Sequence, residues 1–118
     1  MGAPVTHWQI VTKQPDKLVE FYTRLFGWTM NDKNPLRYRT MQTGAGRGID
    51  GGIWPAPAEA NGFVQLHVEV DDVRARVELA LGLGAKVVIP PQRLPAGDEM
   101  AVLHDPDGIP FALHSPAQ

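Results

Sequence analysis

The sequence predicts an α+β fold in which two βαβββ modules form a curved, partly closed mixed sheet. The order of predicted elements repeats after roughly 60 residues, a period that fills the chain. The 12 glycines and 11 prolines cluster between short apolar segments, which favours many short elements over a few long helices. With 118 residues the chain is long enough to bury one core, so we expect a single domain over residues 1–118.

The first module is predicted over residues 5–54. Residues 5–12 are β-rich and free of glycine and proline, which favours a strand. Pro15 suits the first turn of a helix whose apolar side chains recur at helical spacing as far as Phe26, and Gly27 suits its end. Three short strands are predicted after it, at residues 28–30, 37–42 and 49–54.

The second module repeats this order over residues 63–115, after a linker rich in proline and alanine at residues 55–62. A strand at residues 63–70 is followed by Asp71 and Asp72, which favour a helix start because carboxylates accept hydrogen bonds from free N–H groups there. The predicted core positions of this helix are Val73, Val77, Leu79, Ala80 and Leu83. A strand at 86–89, a loop at 90–97 and strands at 100–104 and 109–114 complete the module.

Composition excludes several classes of function. The formal net charge is −2 and the basic residues do not cluster, so we expect no nucleic-acid partner. The chain has no cysteine, which excludes disulfides, thiolate metal sites and a cysteine nucleophile. No apolar run approaches the roughly 20 residues that a membrane span needs, and the first residues do not resemble a signal peptide. A cytoplasmic protein without a membrane partner is expected.

One face of the predicted sheet carries the candidate binding residues. Side chains alternate across a strand, so Trp8 and Ile10 face the helix while His7 and Gln9 face the opposite side. The same alternation and the predicted curvature give a candidate ligand-binding set of His7, Gln9, Trp54, Gln65, His67 and His114. Polar groups that converge in an apolar concavity are typical of a small-molecule site, although a merely solvated sheet face would show the same alternation.

Three stretches resemble the vicinal oxygen chelate superfamily, which includes glyoxalase I, bleomycin-resistance proteins and extradiol dioxygenases. They are the helix and turn at residues 20–28, the segments at 68–73 and 83–88, and the Asp-Pro-Asp-Gly turn at 105–108. Residues 48–53 further resemble a glyoxalase-related branch. The resemblance implies paired βαβββ modules, within one chain or across a dimer, around a site where the enzymes usually hold a divalent metal.

The metal ligands that the resemblance implies are incompletely matched. His7 falls on the first ligand position, and its imidazole would suit Zn, Ni, Fe or Mn. Gly52 and Ala112 stand where the family has carboxylates, and Gln65 stands at the third position with His67 two residues further on the same face. Because a hard divalent ion needs anionic oxygens or several imidazoles, we predict no metal cofactor. The alternative is a metal held by His7 and His67, or by these two with His114.

The predicted function is therefore a glyoxalase-like or bleomycin-resistance-like protein that binds a small organic molecule without metal. The alternative is a metal-dependent lyase or isomerase related to glyoxalase I, and the sequence leaves open whether any reaction is catalysed. A third hypothesis is a non-catalytic interaction module that uses a sheet edge or the side chains of Trp28 and Trp54. A homodimer is expected in each case, because pairing covers exposed sheet edges.

Overall fold

The computed structural model describes residues 2–57 and 59–117, and in it the chain divides into two compact units. The first unit consists of residues 7–65, and the second unit consists of the residues up to Thr6 together with those from Leu66 onward. Each unit contains one helix and strands in mixed pairing, in the order βαβββ, and the boundaries between the units fall within the first strand of each. The α+β class and the two βαβββ modules are confirmed, while the expectation of a single domain stays a prediction.

The first unit places its strands in the order β2-β3-β4-β1. Strand β1 runs parallel to β4, and the other two neighbouring pairs are antiparallel. The elements are β1 (Val5–Thr12), α1 (Pro15–Phe26), β2 (Thr29–Asn31), β3 (Arg39–Gln42) and β4 (Gly51–Pro55).

Helix α1 begins and ends where the sequence predicts. Pro15 occupies the first turn, where its missing N–H costs no hydrogen bond. Gly27 has a φ of 74°, the left-handed conformation that glycine adopts without steric cost, and its N–H donates to the Thr23 carbonyl at 3.0 Å. The local sequence is therefore sufficient to fix both ends of this helix.

An aromatic cluster packs between α1 and the first unit's strands. The Trp8 and Trp28 rings lie 5.1 Å apart, and Trp28 stacks on Tyr22 of the helix at 5.5 Å. The Trp8 indole N–H donates to the Ile49 carbonyl at 3.1 Å. A Cβ at Gly51 would overlap the Trp8 ring, so glycine is required there for the ring to lie against β4. Trp8 thus occupies the helix side of the sheet, as alternation predicts.

The second unit orders its strands β5-β8-β7-β6. Strand β5 runs parallel to β8, and β7 is antiparallel to both of its neighbours. The elements are β5 (Phe63–Glu69), α2 (Val73–Gly82), β6 (Lys86–Arg93), β7 (Glu99–His104) and β8 (Pro110–Ser115).

The core of the second unit lies between α2 and its strands. The buried cluster consists of Val70, Val73, Val77, Ala101, Leu103 and Leu113. Asp72 caps the helix by accepting a hydrogen bond from the Ala75 N–H at 3.1 Å, as predicted. Leu79 and Leu83, by contrast, are 56% and 70% exposed, so their prediction as core positions is wrong. The inward face follows Val73 and Val77, and Leu83 lies beyond the last helical residue.

Strand β6 is longer than predicted. It continues through Pro90 and Pro91 to Arg93, across the segment predicted as a loop. The strand lies at the edge of its sheet, and its pairing with β7 shifts register between Val87 and Ile89 and again between Ile89 and Gln92. An edge position with bulges tolerates proline because no ladder hydrogen bond is required from its nitrogen.

Among the described residues, no helix combines the length and the apolar character that crossing a membrane would require.

Candidate functional site

A histidine and a tyrosine meet on the face of the first unit opposite α1. The His7 Nε2 atom lies 2.7 Å from the Tyr38 hydroxyl oxygen, which is a hydrogen bond, and the two rings are tilted by 40°. His7 was predicted as a site residue from strand alternation. Tyr38 was not predicted as a site residue, although it falls in the strand predicted over residues 37–42. In the structure that strand begins at Arg39, and Tyr38 lies just before it.

Gly52 makes room for the Tyr38 ring. A Cβ at Gly52 would overlap both the hydroxyl oxygen and the ring carbon that bears it. The Tyr38 phenol therefore fills the space that any side chain at position 52 would enter. The family resemblance implies a carboxylate ligand at position 52. In this protein the Tyr38 phenol occupies the space of that side chain instead.

The backbone of Tyr38 is held by one asparagine. The Asn34 side-chain amide donates to the Tyr38 carbonyl, and its oxygen accepts from the Tyr38 N–H, both at 2.8 Å. Arg37, between them, has a φ of 53°, an uncommon value for a residue with a side chain. These two hydrogen bonds fix the backbone of the segment, and the hydrogen bond to His7 holds the phenol itself in position.

Trp54 extends the same face. Its ring centroid lies 5.7 Å from that of Tyr38, with the planes tilted by 41°, and the residue is 36% exposed. On the neighbouring strand its register partner is Val11. An indole that packs against a phenol and keeps part of its surface exposed offers an aromatic surface for stacking.

Gln9 lies on this face beside the tyrosine. Its register partner in parallel β4 is Gly52, and partners in a ladder direct their side chains to the same side of a sheet. Because Tyr38 fills the side-chain space of Gly52, Gln9 is its neighbour on that side. Gln9 is 8% exposed, and Gln65, also predicted as a site residue, is 2% exposed. The first unit therefore assembles His7, Gln9 and Trp54 around Tyr38.

The second unit contains a histidine–aspartate pair of its own. The His114 Nε2 atom lies 2.8 Å from an Asp98 carboxylate oxygen, and both side chains are largely buried. Asp98 was not predicted because it belongs to the β6–β7 loop. His67 pairs in register with Ala112, and Glu69 pairs with His114. The convergence of His67 and His114 with the residues of the first unit stays a prediction.

The donor atoms within each unit fit a divalent ion poorly. Within neither unit do the described residues bring three or more histidine or carboxylate side chains into an arrangement that could hold a metal. In the first unit His7 is hydrogen-bonded to a phenol, and Gly52 leaves no space for a carboxylate. Burial raises the pKa of the Tyr38 hydroxyl well above its ordinary value, so this oxygen stays protonated and neutral at physiological pH.

The ionisation of Tyr38 is directly measurable, because the chain has two tyrosines. In the Tyr22→Phe variant the near-ultraviolet absorbance of tyrosinate reports Tyr38 alone. We expect this absorbance to rise at a pH clearly above about 10, the value of an exposed tyrosine. Because the folded state retains a proton that the unfolded chain has lost, the free energy of unfolding should also fall as pH rises above about 10.

The same variant in concentrated urea is the control for this titration. There the transition should return to about pH 10. A transition in the folded protein at or below that pH would show that the Tyr38 hydroxyl is not buried as described.

Comparison with solved structures identifies the class of fold. The chain matches methylmalonyl-CoA epimerase from Mycobacterium tuberculosis with a TM-score of 0.69 and 17% identity, over 96% of this chain and 87% of the other. The chain also matches a variant of the Streptomyces coelicolor methylmalonyl-CoA epimerase in complex with 2-nitronate-propionyl-CoA. This match has a TM-score of 0.66 and 20% identity, over 98% of this chain and 99% of the other. At such identities the likeness establishes the fold alone, which is that of the vicinal oxygen chelate superfamily.

Comparison of sequences identifies the family. A family model described as a glyoxalase-like domain matches residues 8–114, and the chain belongs to this family. The CFP32 proteins of Mycobacterium bovis and Mycobacterium tuberculosis, both named provisionally as glyoxylases, are 28% identical over 112 residues. That match covers 92% of this chain, and the chain spans 42% of the length of these relatives. The predicted superfamily and its glyoxalase-related branch are thereby confirmed.

Proposed function

We propose that this glyoxalase-like domain binds a small planar organic molecule on the face formed by His7, Tyr38 and Trp54, and that it does so without a divalent metal. One observation carries the proposal. The Tyr38 hydroxyl fills the side-chain space at Gly52 and is hydrogen-bonded to His7. A neutral phenol and an imidazole form a polar pair suited to hydrogen bonding with a ligand, and they lack the anionic oxygen that a hard cation requires.

The aromatic side chains support a planar ligand. Tyr38 and Trp54 lie at the centroid distance of a packed aromatic pair, and Trp54 keeps part of its surface open. A planar molecule stacked on this surface would bury apolar area while its polar atoms meet the phenol and imidazole. This combination of a few polar groups on an apolar surface is typical of small-molecule sites.

The relatives set the context for this proposal. Several solved structures with this fold are methylmalonyl-CoA epimerases, some in complex with CoA esters, and the CFP32 proteins are named provisionally as glyoxylases. The CFP32 proteins are more than twice as long as the part that this chain matches, since the chain spans 42% of their length. We therefore extend binding, and no particular reaction, to this chain. Homodimer formation and a cytoplasmic location stay predictions.

A binding screen with metal-depleted protein tests the proposal. Protein purified without a histidine tag and dialysed against EDTA is expected to contain far less than one metal ion per chain and to gain thermal stability from planar aromatic compounds. Adding Zn²⁺, Ni²⁺, Fe²⁺ or Mn²⁺ should not change the hits. Trp54→Ala should weaken binding by about 1 kcal/mol, a roughly fivefold rise in Kd, because one stacking partner is lost.

Phe21→Ala is the matched control for this variant. Phe21 is an exposed aromatic residue of α1, away from the proposed surface, and its removal should leave binding unchanged. Stoichiometric metal together with hits that require it would instead support the metal-dependent lyase or isomerase. Failure of every compound to bind would overturn the binding proposal.

A further inference from the structure

The side-chain amide of Gln9 has no hydrogen-bond partner among the residues that the structure describes, although only 8% of Gln9 is exposed. Over the same described residues, every fully enclosed side-chain nitrogen or oxygen atom has a partner. The Gln9 amide atoms are therefore not enclosed. They keep a small solvent-accessible area, and Gln9 lies on the face that also carries Tyr38.

We propose that the Gln9 amide is the specificity group of the binding surface, and that it selects an uncharged planar ligand with a lactam or carboxamide edge. The inference rests on the proposed function and deepens it. A glutamine amide presents a carbonyl acceptor and an NH₂ donor side by side. A lactam presents the complementary donor and acceptor at the same spacing, so the two groups form a pair of hydrogen bonds.

Burial makes this pairing selective. A polar group that is mostly removed from water gains more from a matching partner than an exposed one, because bulk water competes less for its hydrogen bonds. A ligand of the same shape without the polar edge would cover the Gln9 amide and leave it unpaired. The affinity of a ligand should therefore depend more on the hydrogen-bonding groups that it directs at Gln9 than on its size.

The charges of the first unit favour an uncharged ligand. The strand positions on this face carry no lysine, arginine, aspartate or glutamate. They include His7, Gln9, Val11, Asn31, Thr40, Gln42, Gly52 and Trp54. Arg39 points to the helix side, where it forms an ion pair with Asp16 of α1 at 3.1 Å. An anionic ligand would lose its hydration without gaining a permanent cationic partner.

Three probes of similar shape test the inference: the lactam carbostyril, the hydrocarbon naphthalene and the anion naphthoate. We expect carbostyril to bind the metal-depleted wild type at least about tenfold more tightly than naphthalene, and naphthoate to bind most weakly. In Gln9→Met, which keeps the length of the side chain without the amide, the preference for carbostyril should fall to near unity while naphthalene binding is kept. Gln14→Met, at an exposed glutamine before α1 whose side chain makes no capping hydrogen bond, is the control and should retain the preference.

The outcomes separate this inference from the proposal on which it rests. Equal binding of carbostyril and naphthalene to the wild type, or tightest binding of naphthoate, overturns the role of Gln9 and leaves a metal-free binding surface. A full preference in Gln9→Met also overturns it. Binding of none of the probes or other planar compounds overturns both. If Gln9→Met does not fold, as judged by circular dichroism, the wild-type order of the three probes decides the inference.

Discussion

Gly52→Ala is expected to destabilise the protein by about 1–3 kcal/mol, the usual cost of forcing an extra carbon into a packed site. The added Cβ would overlap the Tyr38 hydroxyl and ring. Moving the phenol aside would break its 2.7 Å hydrogen bond to His7 and disturb its packing against Trp54, while two hydrogen bonds of 2.8 Å with Asn34 keep the tyrosine backbone in place. Urea denaturation measures the loss, and the hydrogen bond between His7 and Tyr38 should be lost with it.

A double-mutant cycle shows whether the tyrosine is the cause. In a Tyr38→Ala background the space above Gly52 is empty, so Gly52→Ala should cost much less there than in the wild type. Gly82→Ala is the control for the substitution itself, since a Cβ at that helical glycine meets no atom within 4 Å. It should leave stability unchanged or raise it by up to about 1 kcal/mol. Equal costs of Gly52→Ala in both backgrounds would contradict the overlap.

Leu103→Ala should destabilise the second unit by about 2–5 kcal/mol. Leu103 is completely buried within the cluster that packs α2 against the strands. Its removal leaves a cavity that the surrounding side chains on two secondary-structure elements cannot fill. The midpoint of urea denaturation, followed by far-ultraviolet circular dichroism, reports the loss.

Leu79→Ala is the matched control, because it removes the same atoms from a leucine that is more than half exposed. Its cost should stay within about 0.5 kcal/mol, as for most surface substitutions. If both leucines cost the same, the inward face of α2 is not the one described.

The sequence predicts elements well where local chemistry fixes them. Strand β1 and helix α1 end where their turn and cap residues stand, because Gly27 and Pro15 act through the backbone of their own segment. Alternation along β1 also placed His7 and Gln9 on one face correctly. These features depend on neighbours in sequence, and a single sequence contains that information.

Features that depend on distant contacts were missed. Tyr38 enters the site from an irregular segment, and the one signal for it was the adjacent pair Gly51 and Gly52 inside a strand, which indicates close approach of bulky groups. Asp98 reaches His114 from a hairpin loop, where aspartate usually stabilises a turn. Helix α2 and its C-terminal cap carry apolar residues on two faces, Val73 with Val77 and Leu79 with Leu83, and the strands beneath the helix decide which face is buried.

The glycine at position 52 also constrains the order in which this chain can change. Any larger residue there collides with the phenol, so a carboxylate could be introduced at that site only after Tyr38 had been replaced by something smaller. Loss of the phenol comes first, and it removes the hydrogen bond between Tyr38 and His7 before a carboxylate is gained. Positions 38 and 52, separated by 14 residues in the chain, are thus coupled, and stepwise substitution to a carboxylate at position 52 requires a sequence that has neither group.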